Sequence, residues 1–236
     1  MDLTSLIKEL KSLEDIDKAN IFSRFFKSGP GEYGEGDQFL GLSVPTSRKL
    51  VAKYYRNLEL PDLDKLLSNP YHEARLIALL VLVKKYQTTK SDSEKRKYYD
   101  YYLSHTKQIN NWDLVDVTTP QIVGDYLLTH DREILYKLAR SHNIWERRIS
   151  IMATFAFIRA GKYIDTLKIS KILLNDPHDL IHKAVGWMLR EMGKKDKAML
   201  TNYLDQHAGV MPRTMLRYSI EKLTEVERQY YLKQKS

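Results

Sequence analysis

No cysteine occurs in the 236 residues, which excludes disulfides, thiol catalysis and thiolate metal ligation together. A membrane-length apolar run is missing as well. The longest uncharged apolar stretch near the middle, LIALLVLV at 76–83, falls far short of the ~20 residues a bilayer span requires. The amino-terminal MDLTSLIKEL lacks the basic-then-apolar order of an export signal, so a cytoplasmic protein is expected. Glycine is scarce: there are ten, and five of them fall between Gly29 and Gly41. Familiar catalytic signatures are absent. GPGEYGEGD at 29–37 is not followed by the Gly-Lys-Ser/Thr of a phosphate-cradling loop, and neither a Gly-x-Ser-x-Gly elbow nor a His-Glu-x-x-His pair occurs. The simplest reading of this stretch is a surface loop, with closure over a ligand as the alternative; its acidic residues argue against direct phosphate binding.

Basic charge is abundant. The net charge is +8, and it is unevenly spread: the first 45 residues carry −3 and the remainder +11. A basic body of this size favours a polyanion partner, nucleic acid being the commonest. A solvated basic surface with no specific partner is the competing reading of charge alone.

Helical periodicity runs throughout, and no convincing alternating strand interrupts it. Asn69-Pro70, Thr119-Pro120 and Asp176-Pro177 each read as an N-cap followed by proline at the first helical position. Gly161 and Gly193 sit where helix carboxyl ends are expected. The segments 74–86 and 149–158 are apolar nearly all round and predict inner helices packed on several sides. Short links between many helices of similar length predict an all-α fold, a single curved α-solenoid of stacked helix hairpins spanning residues 1–236. A concave basic cleft on it would hold a rod-shaped ligand.

The three tryptophans carry the functional signal. In HKAVGWMLREMGK, Lys183, Trp187, Arg190 and Lys194 fall at i, i+4, i+7 and i+11, one continuous stripe. A tryptophan in a cationic row suits a surface that meets phosphates and stacks on a sugar or base; a boundary residue covered by lysine stems is the alternative. Gly186 beside it would let a ligand approach the backbone. Trp145 and Arg148 share a face in the first turn of the next motif, NIWERRISI, while Arg147 points elsewhere. An arginine there opposes the helix dipole, so Arg148 is expected to meet an anion, either a ligand or a carboxylate from another helix. In NNWDLVD, Trp112 and Asp116 are i and i+4. Asp113 is explained by capping and the dipole; Asp116, near a helix carboxyl end, is not. His178 and His182 lie four apart with no third ligand evident, and no metal or other cofactor is expected.

Aromatic faces, a carboxylate and an arginine on a basic surface suit cleavage of an N-glycosidic bond. Positive charge develops on the sugar as in glycoside hydrolysis; a carboxylate stabilises it and tryptophan faces attract cations. A base that is already cationic leaves as a neutral molecule and needs little acid catalysis.

With FFKSGPGEYGEGDQFLGLSVPTSRKL (25–50), NNWDLVD (110–116), NIWERRISI (143–151) and KAVGWMLREMGK (183–194), the chain resembles the AlkD-type DNA alkylation repair proteins, bacterial glycosylases built from HEAT-like helical repeats. The resemblance implies that Trp112 and Trp187 contact the damaged nucleoside. Asp116 would stabilise the sugar cation and position water, and Arg148 would clamp a phosphate or the substrate. It further implies removal of cationic N3-alkyladenine and N7-alkylguanine from double-stranded DNA; separately, a monomer is expected. Lys183, Arg190 and Lys194 are the expected backbone contacts. The competing reading is a non-catalytic HEAT-like module that binds DNA or structured nucleic acid; a protein-interaction scaffold would leave the cationic stripe without a reason.

Overall fold

Capping chemistry sets where most helices of this chain begin. The computed structural model describes residues 2–234, and among these the regular structure is helical. The chain divides between Leu114 and Val115 into two compact units. The first holds α1 (Leu3–Ser12), α2 (Ile16–Phe25), α3 (Val44–Tyr54), α4 (Leu60–Leu67), α5 (His72–Thr88) and α6 (Asp92–Ser104). The division falls inside the short α7 (Trp112–Asp116). The second unit continues with a π-helical turn, Pro120–Gly124, then α8 (Glu133–Leu138), α9 (Ile144–Arg159), α10 (Ile164–Ile172), α11 (Asp179–Gly193), α12 (Lys197–His207), α13 (Arg213–Ser219) and α14 (Glu225–Lys233). Asp2, Asp15, Ser43, Ser91, Asn143, Asp196 and Thr224 each accept a first-turn N–H, satisfying donors that the helix itself leaves unpaired. Among the described residues no helix is long and apolar enough to cross a membrane.

Two of the three capping-proline pairs behave differently from the expectation. Asn69 Oδ1 accepts the Tyr71 N–H at 2.9 Å and Asp176 Oδ1 accepts the His178 N–H at 2.9 Å. These are Asx turns, which spend the side-chain acceptor two residues on, so α5 and α11 start beyond Pro70 and Pro177. Thr119-Pro120 does open a helix, but a π-helical one without a side-chain cap. Gly161 follows α9 with φ +72°, as a helix-ending glycine should. Gly193 instead ends α11 with the Leu200 side chain against it.

The two apolar segments are the cores of their units. In the first, α5 is buried from His72 to Val83 and again at Tyr86, against α3, α4 and α6. In the second, α9 packs on the π-helical turn, α8, α10 and α11, and α11 packs in turn on α12 and α13. Gly186 makes one of these contacts possible. A Cβ there would stand 2.5 Å from Tyr218 Cβ and 2.6 Å from the Met215 carbonyl oxygen, so it is α13, and not a ligand, that approaches this backbone.

The close approach of α13 has a measurable consequence. At an open helical position Gly186→Ala would stabilise by about 1 kcal/mol through helix propensity. Here the overpacking against α13 dominates, and urea denaturation should show a loss of roughly 1–3 kcal/mol.

Candidate functional site

The glycine-rich loop of the first unit is tied down at its carboxyl end. Leu40, Gly41 and Leu42 donate their backbone N–H groups to the buried Glu73 carboxylate at 2.8–3.1 Å. Gln38 pairs with the backbone on either side of Tyr71. Gly34 lies so close to Phe26 that a Cβ would be 2.5 Å from its carbonyl oxygen and 3.3 Å from the Asn111 amide nitrogen. The loop therefore lies flush against the turn that starts α7.

Asp37 closes this arrangement. Its buried carboxylate accepts from Arg75 at 2.5 Å, His72 Nδ1 at 3.3 Å, and the Asn110 and Asn111 amides at 3.2 and 3.4 Å. His72 Nε2 is 2.8 Å from Asp113 Oδ2, while Asp113 Oδ1 accepts the Leu114 N–H. Burial disfavours a charged His72 ring, but the Asp113 charge and the hydrogen bonds to Asp113 and Asp37 outweigh it, raising its pKa to about 9. Burial likewise pushes the Asp37 carboxyl up, and the His72 hydrogen bond and Arg75 charge overcome that and hold it below the usual carboxylate value.

Trp112 sits on this network within an aromatic group. Phe26 stacks on His72 at 4.9 Å, on Phe39 at 5.3 Å and on Trp112 at 5.4 Å, and Phe25 meets Trp112 edge-on at 5.8 Å. Phe25 is 61% exposed and Trp112 partly so, an open aromatic edge.

The second unit holds the other candidates. Arg148 donates from Nε and Nη2 to the two oxygens of Asp116, each at 2.8 Å, and from Nη1 to the Leu180 carbonyl. Both side chains of this two-point pair are more than nine-tenths buried. The anion that Arg148 meets in the structure is thus an internal carboxylate. Arg147 points away, to Asp176 at 2.6 Å, and Trp145 is a core residue.

The Lys183–Trp187–Arg190–Lys194 stripe is present on α11, but carboxylates are interleaved with it. Lys183 pairs with Asp179 at 2.7 Å, Lys194 with Glu191 at 2.7 Å, and Arg190 with Glu221. Trp187 is half-buried, donates Nε1–H to Glu191 at 3.2 Å and lies 6.1 Å from Phe155. His178 accepts the Leu180 N–H as a cap and His182 bonds the Asp176 carbonyl. Among the described residues no three His, Asp or Glu side chains gather as a metal set.

A family model described as DNA alkylation repair enzyme matches residues 6–223. The chain belongs to the DNA alkylation repair enzyme family. Its fold is also that of a solved structure, a predicted DNA alkylation repair enzyme from Enterococcus faecalis. The two superpose with a TM-score of 0.70 at 17% identity, over 90% of this chain and 97% of the other. No curated protein matches the sequence significantly.

For this member of the repair family, the sequence left the glycine-rich loop without a role, and the structure supplies one through Asp37, His72 and Asp113. His72 carried no local signal, because its two carboxylate partners are 35 and 41 residues away. Glu191 was within reach of helical spacing, four residues after Trp187 and three before Lys194.

Stability should record the network's titration. A His72 value raised above that of a free imidazole adds stability that is complete below about pH 6.5 and lost as pH rises through about 9. Asp37, held low, adds stability present above about pH 4 and lost as pH falls through its folded value. Chemical denaturation of the wild type should therefore lose roughly 3 kcal/mol between pH 7 and 10 beyond any loss seen in His72→Gln.

Proposed function

We propose that this chain is a DNA glycosylase that hydrolyses the N-glycosidic bond of cationic alkylated purines, N3-alkyladenine and N7-alkylguanine, in double-stranded DNA. The observation that carries the reading is the Asp116 carboxylate, oriented at both oxygens by Arg148 and four residues after the partly exposed Trp112, in a chain of the DNA alkylation repair enzyme family. As the glycosidic bond breaks, positive charge grows on the sugar. A pre-oriented carboxylate stabilises it without reorganising and directs water at the anomeric carbon. The alkylated base departs as a neutral molecule, so no general acid is required of the protein. Trp112 and Trp187 are assigned to the damaged nucleoside, where ring faces attract its cationic base.

Arg148 acts in this reading through Asp116, as its orienting partner as well as a source of positive potential toward DNA. Lys183, Arg190 and Lys194 are assigned to backbone phosphates. For Lys183 and Lys194 the present carboxylate partners do not argue against that. The Lys183 and Lys194 side chains are about 40% exposed, and ion pairs of this kind contribute only about 0–1 kcal/mol, little enough for a phosphate to replace them.

A second reading, a non-catalytic HEAT-like module that binds DNA or structured nucleic acid, is favoured by one observation: a buried two-point Asp–Arg pair is also what purely structural ion pairs look like. Base release from duplex DNA bearing N7-methylguanine or N3-methyladenine separates the two. The glycosylase reading expects release by wild type and a fall of at least about 100-fold in single-turnover rate for Asp116→Asn, with DNA affinity retained. The substitution leaves Arg148 without its counter-charge, at roughly 3 kcal/mol, so the variant is assayed where circular dichroism shows it folded. Wild-type rates in the variant, or binding without release by either protein, would decide for the module. For the phosphate contacts, Lys183→Ala with Lys194→Ala should reduce the slope of log affinity against log salt by about 2.

A further inference from the structure

His72 bonds both the glycine-rich loop and the first turn of α7. Nε2 lies 2.8 Å from Asp113 Oδ2 and Nδ1 lies 3.3 Å from Asp37 Oδ2. Ionised carboxylates only accept, so serving both at once requires a proton on each ring nitrogen, the imidazolium form. The ring is stacked on Phe26 at 4.9 Å and Phe39 at 5.0 Å, and Phe26 stacks on Trp112 at 5.4 Å with an interplanar angle of 27°. We infer that His72 is a positioning residue for Trp112: pinned at both nitrogens, it fixes the Phe26 ring and the first turn of α7, and through them the plane of the indole.

Three features support this over ordinary core packing. A charged ring that is 2% exposed is a poor choice where phenylalanine would fill the space, because both ion and partners must be desolvated. Of its two partners, Asp113 is the residue after Trp112, whereas Asp37 ends the glycine-rich loop; the histidine joins segments that nothing in local sequence couples. Trp112 itself is only partly buried, and the rings of Phe25 and Phe26 meet its indole, so a shift of Phe26 is felt at Trp112.

The charged groups around His72 are Asp37 from the loop, Asp113 from α7, and Arg75 and Glu73 from its own helix. Arg75 is held by Asp37 and the carbonyls of Asn69 and Pro70, and Glu73 by the N–H groups of Leu40, Gly41 and Leu42. Loss of the proton from His72 leaves one ring nitrogen facing a carboxylate with no hydrogen between them. The ring must then leave one partner, and Phe26 and Trp112 follow. The consequence for base excision rests on the glycosylase reading; the coupling of His72 to Trp112 does not.

The test uses the full chain labelled with 5-fluorotryptophan, the Trp112 fluorine resonance being assigned by Trp112→Phe. In wild type, that resonance should shift as pH rises through about 9, with no matching inflection from Trp187. In His72→Gln it should be displaced at neutral pH and the inflection lost. Single-turnover base release at pH 7.5 should fall about tenfold in His72→Gln, with DNA affinity within about twofold, as misplacement of a contact group predicts. A Trp112 resonance in His72→Gln that superimposes on wild type across the range would overturn the inference. Should His72→Gln fail to fold, the wild-type titration decides: a Trp112 resonance without an inflection overturns it. If wild type releases no base, the glycosylase reading falls and the fluorine data still judge His72. A displaced resonance with an unchanged rate upholds the positioning and counts instead against the role assigned to Trp112.

Discussion

A positively charged imidazole held between two carboxylates, inside a nearly dry aromatic group, is the interaction on which the first unit depends. His72 opens α5, the most deeply buried helix of that unit, and it binds to that helix end both the glycine-rich loop and the start of α7, which also touch each other through Asp37 and the Asn110 and Asn111 amides. Asp37 arrives from a loop whose glycines permit close backbone approach, as at Gly34, and Asp113 arrives from the turn NNWD. Burying three charged side chains is unfavourable by itself. It is tolerated here because every charge has an opposite one within hydrogen-bonding distance and because Arg75 and two asparagine amides satisfy the remaining acceptors of Asp37. Glu73, beside it, takes three backbone N–H groups in place of a cation. Successive residues of one helix thus hold the two ends of the same loop segment by different means.

The second unit solves a related problem with a different pair. Asp116 and Arg148 are matched in a planar two-point contact that fixes the carboxylate in rotation as well as in place. Around Trp187 the ion pairs are wetter and individually weak. The two sets differ in exposure: the Asp116–Arg148 pair is more than nine-tenths buried, whereas the Lys183 and Lys194 side chains on α11 are each 41% exposed.

Much of this was legible in the sequence. Proline and glycine punctuation with a helical apolar period marked the chain as helical, with Gly161 and Gly193 near the ends of α9 and α11, and the two all-round apolar segments were recognisable as inner helices. The stripe on α11 followed from spacing alone. Two of the three capping-proline pairs show the limit: Asn69 and Asp176 have two local uses for one side-chain oxygen, a helix cap or an Asx turn, and the sequence does not choose between them. Gly186 shows another, since an absent Cβ serves a ligand and a neighbouring helix equally well until α13 is seen against it.

By itself, then, the sequence determined the helical class, the interior helices, the residues that form the tryptophan and carboxylate motifs, and the family those motifs resemble. These rest on interactions within a turn or two of helix. Only the tertiary structure decided which anion Arg148 meets, that Glu221 faces Arg190, and that His72 joins Asp37 to Asp113. Each of those contacts closes a loop of roughly 30 residues or more, and a partner at that distance is chosen by packing, on which the local pattern is silent.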